Sequence, residues 1–317
     1  MRKPFEVTVL GTSSATPTKY RHPSSQFLRL EGSYLLLDCG EGTQRQLSRY
    51  GLKMQRISYV FITHLHGDHY FGLPGLITSM ALFGRVEPLY IVGPPKLEGI
   101  IRLLLVDSDA HLPFDLIFIE TQTDRIETVV ETDTFQVQSV PLQHRIPCTG
   151  FLVREVGPQR KLNLDACFRH SVPVERYDDI KWGSDFVSTT GDVISNDTLT
   201  VPGYKNRVYA YITDTIYDES LVPILKDVDR LYHEATFAHD RLSRAQETYH
   251  STALQAAEIA KQAGAKQLLL GHFSARYQDA TLLIEEARMV FPFAEEAVEG
   301  ETYTIGLADD LPLPKII

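Results

Sequence analysis

Apolar positions in the first 150 residues alternate between two spacings. Short β-branched and aromatic runs predict strands near Glu6–Leu10, Gln26–Leu30, Tyr34–Asp38, Tyr59–Thr63 and Leu89–Val92. Between them, helical spacing predicts helices near Gly42–Tyr50, Pro74–Phe83 and Pro95–Asp107. A second strand-rich block follows around Leu116–Glu120, Phe135–Pro141 and Gly150–Arg154. From about Glu155 to Asn206 the periodicity weakens, punctuated by Gly157-Pro158, Val172-Pro173, Gly183-Ser184 and Pro202-Gly203. By pattern alone this stretch reads as a solvated excursion. Regular structure then resumes: a strand at Val208–Ile212, a helix at Leu221–Lys226, and a strand at Arg230–Tyr232 running into His233-Glu234. A helix follows over Thr252–Ala263, capped by Ser251 or Thr252, and a strand over Gln267–Leu270 that ends at Gly271-His272. No repeat is visible.

Length and composition narrow the class. A chain of 317 residues can bury a large core, as one layered domain or two smaller ones. No apolar run reaches the roughly 20 residues of a membrane span. The opening residues lead straight into a strand pattern without a signal-peptide core. The three cysteines, Cys39, Cys148 and Cys167, have no Cys-x-x-Cys spacing, so neither a disulfide framework nor a thiolate zinc site is expected. A reducing cytoplasm fits best. The net charge of −10 argues against a broad nucleic-acid-binding face. It leaves room for a local patch at a metal centre, because bound cations add charge that the formal count omits.

The chemistry concentrates in Thr63-His64-Leu65-His66-Gly67-Asp68-His69, which places three histidines and a carboxylate on a strand-to-helix loop. Imidazole and carboxylate are ligands that Zn²⁺ takes in catalytic sites. His64, His66, Asp68, His69, Asp214 and His272 each stand just beyond the C-terminal end of an apolar strand, and His144 follows the Phe135–Pro141 run. Layered α/β proteins build sites at that edge, where rigid strands hold loops that carry chemistry.

The H-x-H-x-D-H order, a later single His, Asp in Thr213-Asp214-Thr215 and His in Gly271-His272-Phe273 resemble the metallo-β-lactamase superfamily. Further motifs are similar to its ribonuclease Z branch, the tRNA 3′-processing endonucleases. They are Gly11-Thr12-Ser13-Ser14-Ala15, Leu37-Asp38-Cys39-Gly40-Glu41-Gly42, His233-Glu234-Ala235-Thr236, His250-Ser251-Thr252 and Ser274-Ala275-Arg276-Tyr277. The resemblance implies one metallo-β-lactamase-like domain over residues 1–317, a four-layer αββα sandwich of two mixed sheets, with an arm inserted at about 155–206. It implies two zinc ions per subunit, with Mn²⁺ or Fe²⁺ as substitutes. His64, His66 and His144 would hold one, Asp68, His69 and His272 the other, and Asp214 would bridge. Asp68 would also orient the attacking water. His250, polarised by Glu234, would protonate the leaving group, and Asp38 would anchor a ligand histidine from behind. The implied reaction removes the 3′ trailer from precursor tRNA, leaving a 3′-hydroxyl on the tRNA and a 5′-phosphate on the trailer. A cytoplasmic homodimer with no membrane association is expected.

Two departures qualify the carry-over. Pro17-Thr18-Lys19-Tyr20-Arg21-His22 matches the family's P-x-K-x-R-N motif except that His22 replaces Asn. Lys19 and Arg21 remain candidate phosphate contacts. In the arm, the family's Gly-Pro motif is absent near Val172-Pro173-Val174-Glu175. Arg160, Lys161, Arg169 and Arg176 are then the candidate tRNA contacts. Two rival readings remain: a dinuclear-metal phosphodiesterase acting on small phosphodiesters or other nucleic acids, and a non-catalytic RNA-binding subunit. All seven ligand positions are filled, which opposes the latter.

Overall fold

A computed structural model describes residues 3–158 and 160–306. The expected domain limits of 1 and 317 fall outside these residues. Eighteen strands and eleven helices follow one another along the described chain. The first half carries β1 (Phe5–Gly11), β2 (Ser25–Leu30), β3 (Ser33–Cys39), α1 (Thr43–Arg49), β4 (Ile57–Phe61), α2 (Gly67–Tyr70), α3 (Leu73–Leu82), β5 (Leu89–Gly93), α4 (Leu97–Asp107) and β6 (Leu116–Glu120). Strands β7 (Glu127–Glu131), β8 (Phe135–Leu142) and β9 (Cys148–Glu155) open the second sheet. Its remaining elements come after the arm: β14 (Val208–Ile212), α8 (Leu221–Ile224), β15 (Arg230–Glu234), α9 (Leu242–Thr248), α10 (Ala253–Ala263), β16 (Leu268–Gly271), α11 (Thr281–Val290), β17 (Ala294–Glu296) and β18 (Thr302–Thr304).

The strands form two seven-stranded sheets, in the orders β18-β1-β2-β3-β4-β5-β6 and β17-β16-β15-β14-β9-β8-β7. Both are mixed. In the first, β3 to β6 run parallel and the rest antiparallel. In the second, β14 to β17 run parallel while β7, β8 and β9 pair antiparallel. Parallel neighbours need crossover helices, which cover the outer faces. Leu47 of α1, Leu76 and Met80 of α3 and Ile101 of α4 pack on one sheet; Ala256 and Ala260 of α10 with Leu283 and Ala287 of α11 pack on the other. Between the sheets lie Val7, Leu35, Leu37, Phe61, Phe151, Tyr209, Tyr211 and Tyr232, all fully buried. The result is the expected four-layer αββα sandwich.

The segment after β9 is folded rather than a solvated excursion. It contains β10 (Arg160–Leu162) paired with β13 (Thr200–Pro202), the ribbon β11 (Phe186–Val187) with β12 (Val193–Ile194), and helices α5 (Leu164–Arg169), α6 (Tyr177–Lys181) and α7 (Asn196–Leu199). Ala166, Cys167, Val172, Ile180, Phe186 and Leu199 form a small core of its own. No described helix is long and apolar enough to cross a membrane.

Candidate metal centre

Parallel strands end together at one edge of the sandwich, and their following loops meet there. His64 and His66 lie in the turn after β4, and Asp68 and His69 on the one-turn α2. His144 follows β8, Asp214 follows β14, and His272 follows β16 in a left-handed backbone conformation with φ of +57°. Close backbone contact fixes the His-rich loop: a Cβ on Gly40 would lie 2.4 Å from the carbonyl oxygen of Asp68, so that position must be glycine.

The seven side chains form two facing groups. His64 Nε2 and His144 Nε2 lie 3.0 and 3.1 Å from His66 Nδ1. The same two Nε2 atoms each stand 3.6 Å from Asp214 Oδ2. The other oxygen, Oδ1, faces His69 Nε2 at 3.3 Å and His272 Nε2 at 3.2 Å. Those two nitrogens also approach Asp68 Oδ2, at 3.4 and 3.5 Å. Asp214 therefore stands between a three-histidine group and an Asp-His-His group, one oxygen toward each.

This arrangement fits metal ions. Zn–N bonds of about 2.0–2.1 Å in a tetrahedron separate ligand atoms by roughly 3.3 Å, and the observed spacings bracket that value. His69 Nε2 and His272 Nε2 are buried with no hydrogen-bond partner. Orphaned buried nitrogens facing two carboxylates make sense when a cation occupies the space between. Burial and neighbouring imidazoles lower the pKa of His64, which favours the neutral ring with one nitrogen lone pair available to a metal. Burial likewise lowers His66 and His144. Burial opposes ionisation of Asp68 and Asp214, but the surrounding histidines outweigh it and hold both well below the usual carboxylate range.

The outward ring nitrogens are held from behind, which aims the inner ones. Asp38, fully buried with φ of +53°, accepts from His69 Nδ1 at 2.7 Å, Tyr211 Oη at 2.9 Å and the Thr63 backbone N–H at 2.9 Å. Thr63 Oγ1 sits 3.0 Å from His64 Nδ1, Thr236 Oγ1 3.0 Å from His272 Nδ1, and the Tyr249 carbonyl 3.0 Å from His144 Nδ1. The Ala15 backbone N–H donates to Asp68 Oδ2 at 2.7 Å.

Glu234 and His250 meet at the rim of the cluster. Glu234, fully buried at the end of β15, receives His250 Nδ1 at 2.9 Å, the Thr215 N–H at 2.8 Å and Thr236 Oγ1 at 2.5 Å. Burial works against charge on His250, yet the Glu234 carboxylate outweighs it and pushes its pKa up to about 9. Ligand-capable atoms of Asp214, His250 and His272 lie within 4.8 Å of one another.

Comparison with known proteins agrees with this geometry. A ribonuclease Z of Bacteroides fragilis is 46% identical over 288 residues, spanning 91% of this chain and 95% of that protein. A ribonuclease Z of Porphyromonas gingivalis is 45% identical over 287 residues, 90% of this chain and 94% of its own. The chain belongs to the ribonuclease Z family. Among solved structures, the short form of human tRNase Z superposes with a TM-score of 0.69 at 28% identity, covering 95% of this chain and all of that one. A metallo-β-lactamase fold protein from Bacillus subtilis gives 0.67 at 21% identity, with 95% and 100% covered. A family model described as Anti-Pycsar protein Apyc1 matches residues 5–102.

Outside the ligand set, the ribonuclease Z motifs divide by exposure. Lys19 is exposed, its ammonium 5.0 Å from the Tyr20 ring centre. Arg21 turns inward instead: it is 8% exposed, donates to the Tyr277 carbonyl at 2.8 Å and lies over the Phe273 ring. It ties the loop to the Ser274-Ala275-Arg276-Tyr277 segment, and its guanidinium lies 3.8 Å from Glu296. His22 donates its backbone N–H to Glu299 at 2.6 Å, and its Nδ1 lies 2.8 Å from the same carboxylate. In the arm, Arg160 pairs with Asp197 and Arg176 with Asp179, Lys161 lies over the Tyr204 ring, and Arg169 reaches the Asp165 carbonyl of its own helix. Sequence reasoning missed Thr63, Thr236, Tyr211 and Glu299. Thr63 and Thr236 sit inside quoted motifs, which was a usable signal; Tyr211 and Glu299 carry none.

Proposed function

We propose that this chain is a metal-dependent endoribonuclease that removes the 3′ trailer from precursor tRNA, acting as a cytoplasmic homodimer with two zinc ions per subunit. The reading rests on membership of the ribonuclease Z family and, above all, on the way Asp214 divides its two oxygens between two ligand groups. His64, His66 and His144 would hold one ion, Asp68, His69 and His272 the other, and Asp214 would bridge. Two such ions supply Lewis acidity toward the scissile phosphate and lower the pKa of an attacking water. Asp68, fixed by the Ala15 N–H, is placed to orient that water. His250, charged through Glu234, has its Nδ1 engaged, leaving Nε2 to protonate the departing 3′-oxygen of the tRNA. The trailer then keeps the phosphate.

The test is cleavage of a precursor tRNA by chelated and metal-restored protein, with product ends mapped and metal counted. A metal-dependent cut giving a tRNA 3′-hydroxyl is expected; Asp214→Ala abolishes it. Wild-type activity from Asp214→Ala with two ions bound overturns the mechanism. A fully metallated protein that turns over an aryl phosphodiester but leaves precursor tRNA intact overturns the substrate. Sedimentation checks the dimer.

A further inference from the structure

Outside the metal centre, a groove of about 1040 Å³ runs along α1 and the turn that follows it. Arg45, Arg49, Lys53 and Arg56 line it, with Gln44, Gln55 and Ser79, and His22 stands at its head. No carboxylate lines the groove among the described residues. Among the described residues none of the four cations forms an ion pair there. Arg49 and Arg56 lie over Tyr50 and Tyr34, and Arg49 also borders a neighbouring recess lined by Asp279, Glu296 and Glu299. Elsewhere Arg29, Arg102, Arg125, Arg207, Arg230 and Arg244 pair with carboxylates, while Arg85 and Arg288 donate to backbone carbonyls. In a chain of net charge −10, four such cations clustered on one groove are a local concentration of positive charge, and a groove of one sign focuses its field on an anionic partner.

Position gives the groove its meaning. It starts beside the metal loop: Gly40, just before α1, packs on the Asp68 backbone, and His22 bonds through its carbonyl to the N–H of Ser13, two residues from the Ala15 amide that holds Asp68. From there the cations recur every three or four residues, 45, 49, 53 and 56. Arg45 and Arg49 stand one turn apart on α1, a separation of about 5–6 Å at Cβ; Lys53 lies in the turn beyond Gly51, and Arg56 ends the one-turn 3-10 helix Met54–Arg56.

We infer that this groove binds the sugar-phosphate backbone of the substrate RNA, guiding one strand away from the scissile phosphate along α1. The inference rests on the precursor-tRNA reading and adds a surface to it. That surface would explain how an acidic protein with a largely self-paired arm holds a polyanion. Contacts of this kind set affinity and register without reading sequence.

The test is equilibrium binding of fluorescent precursor tRNA at a series of salt concentrations, for wild type, Arg45→Gln/Arg49→Gln, Arg45→Lys/Arg49→Lys and the control Arg125→Gln. Each lost phosphate contact flattens the slope of log K against log salt by about 0.7–0.9, so the Gln pair should flatten it by about 1.4–1.8. Affinity near 150 mM salt should fall by about tenfold or more. The Lys pair should keep most of the slope, which a purely structural role would not, and Arg125→Gln should match wild type. Metal content and melting temperature report folding. A Gln pair that folds, holds metal and keeps the wild-type slope overturns the inference. So does one that changes only the oligomeric state, which would make the groove a protein interface. If wild type neither binds nor cuts precursor tRNA, the functional reading fails first and takes this inference with it.

Discussion

Asp38→Asn is the sharpest probe of how the fold tunes the metal centre. Asn tolerates the left-handed backbone at this position as well as Asp does, so the exchange leaves the chain path intact and changes one oxygen to an amide. The remaining oxygen can still accept the Thr63 N–H. The amide then faces His69 Nδ1 and Tyr211 Oη, which now lie 2.7 and 2.9 Å from Oδ2. His69 must either point its Nδ1 hydrogen at the amide hydrogens or move the proton to Nε2. The second choice caps the atom that faces Asp214 at 3.3 Å and blocks it as a ligand. Losing a partner of this kind costs metal sites about 10–100-fold in affinity, or about 1.4–2.8 kcal/mol. Competition against a chromophoric chelator measures it, and excess metal should restore part of the cleavage rate. Wild-type affinity in Asp38→Asn would refute the claim that this carboxylate sets the His69 tautomer.

Three further outcomes follow from the same geometry. His250→Ala should lower kcat by about 10²–10⁴ with metal content unchanged; loss of metal would instead make His250 a ligand. Chelation should lower the melting temperature by several degrees, because ligand at 1,000 times its dissociation constant stabilises by about 4 kcal/mol; an unchanged melting curve would mean the orphaned His69 and His272 nitrogens do not hold metal. Glu299→Ala leaves His22, Thr12 and Gln46 donors without their acceptor. That should lower stability by about 1–3 kcal/mol and spread the cleavage position in end-mapping; a stable variant cutting at one site would remove Glu299 from the control of the loop.

The parts of the molecule that could be read from the chain share one property: their signal is local. β4, β14 and β16 are continuous apolar runs broken abruptly by His, Asp or Gly, so both strand and site were legible together. The cap signal at Ser251 or Thr252 marked the start of α10 for the same reason; Thr252 is the residue that caps it, in a capping box with Gln255. Where burial depends on distant partners the signal fades. In α11, exposed Leu282 and Met289 blur the stripe formed by Leu283, Ile284 and Ala287. In the arm, elements of two to six residues are too short for a period to register, although their apolar residues form a shared core.

The same division runs through the site. First contacts to metal come from motifs because several ligands must leave one loop together, whereas the groups behind them arrive from any strand whose side chain happens to face inward. Asp38 and Tyr211 illustrate this across the two sheets. They sit 173 residues apart in sequence, yet they meet at 2.9 Å inside the sandwich, and only the packing of one sheet on the other brings them together. The hydrogen bond makes the orientation of His69 depend on the sheet interface itself. Tyr211→Phe, which keeps the packed ring and removes only this donor, should therefore weaken metal binding less than Asp38→Asn does while raising neither cavity nor strain. A metal affinity for Tyr211→Phe as low as that of Asp38→Asn would show that the tyrosine, not the carboxylate, holds the ligand in place.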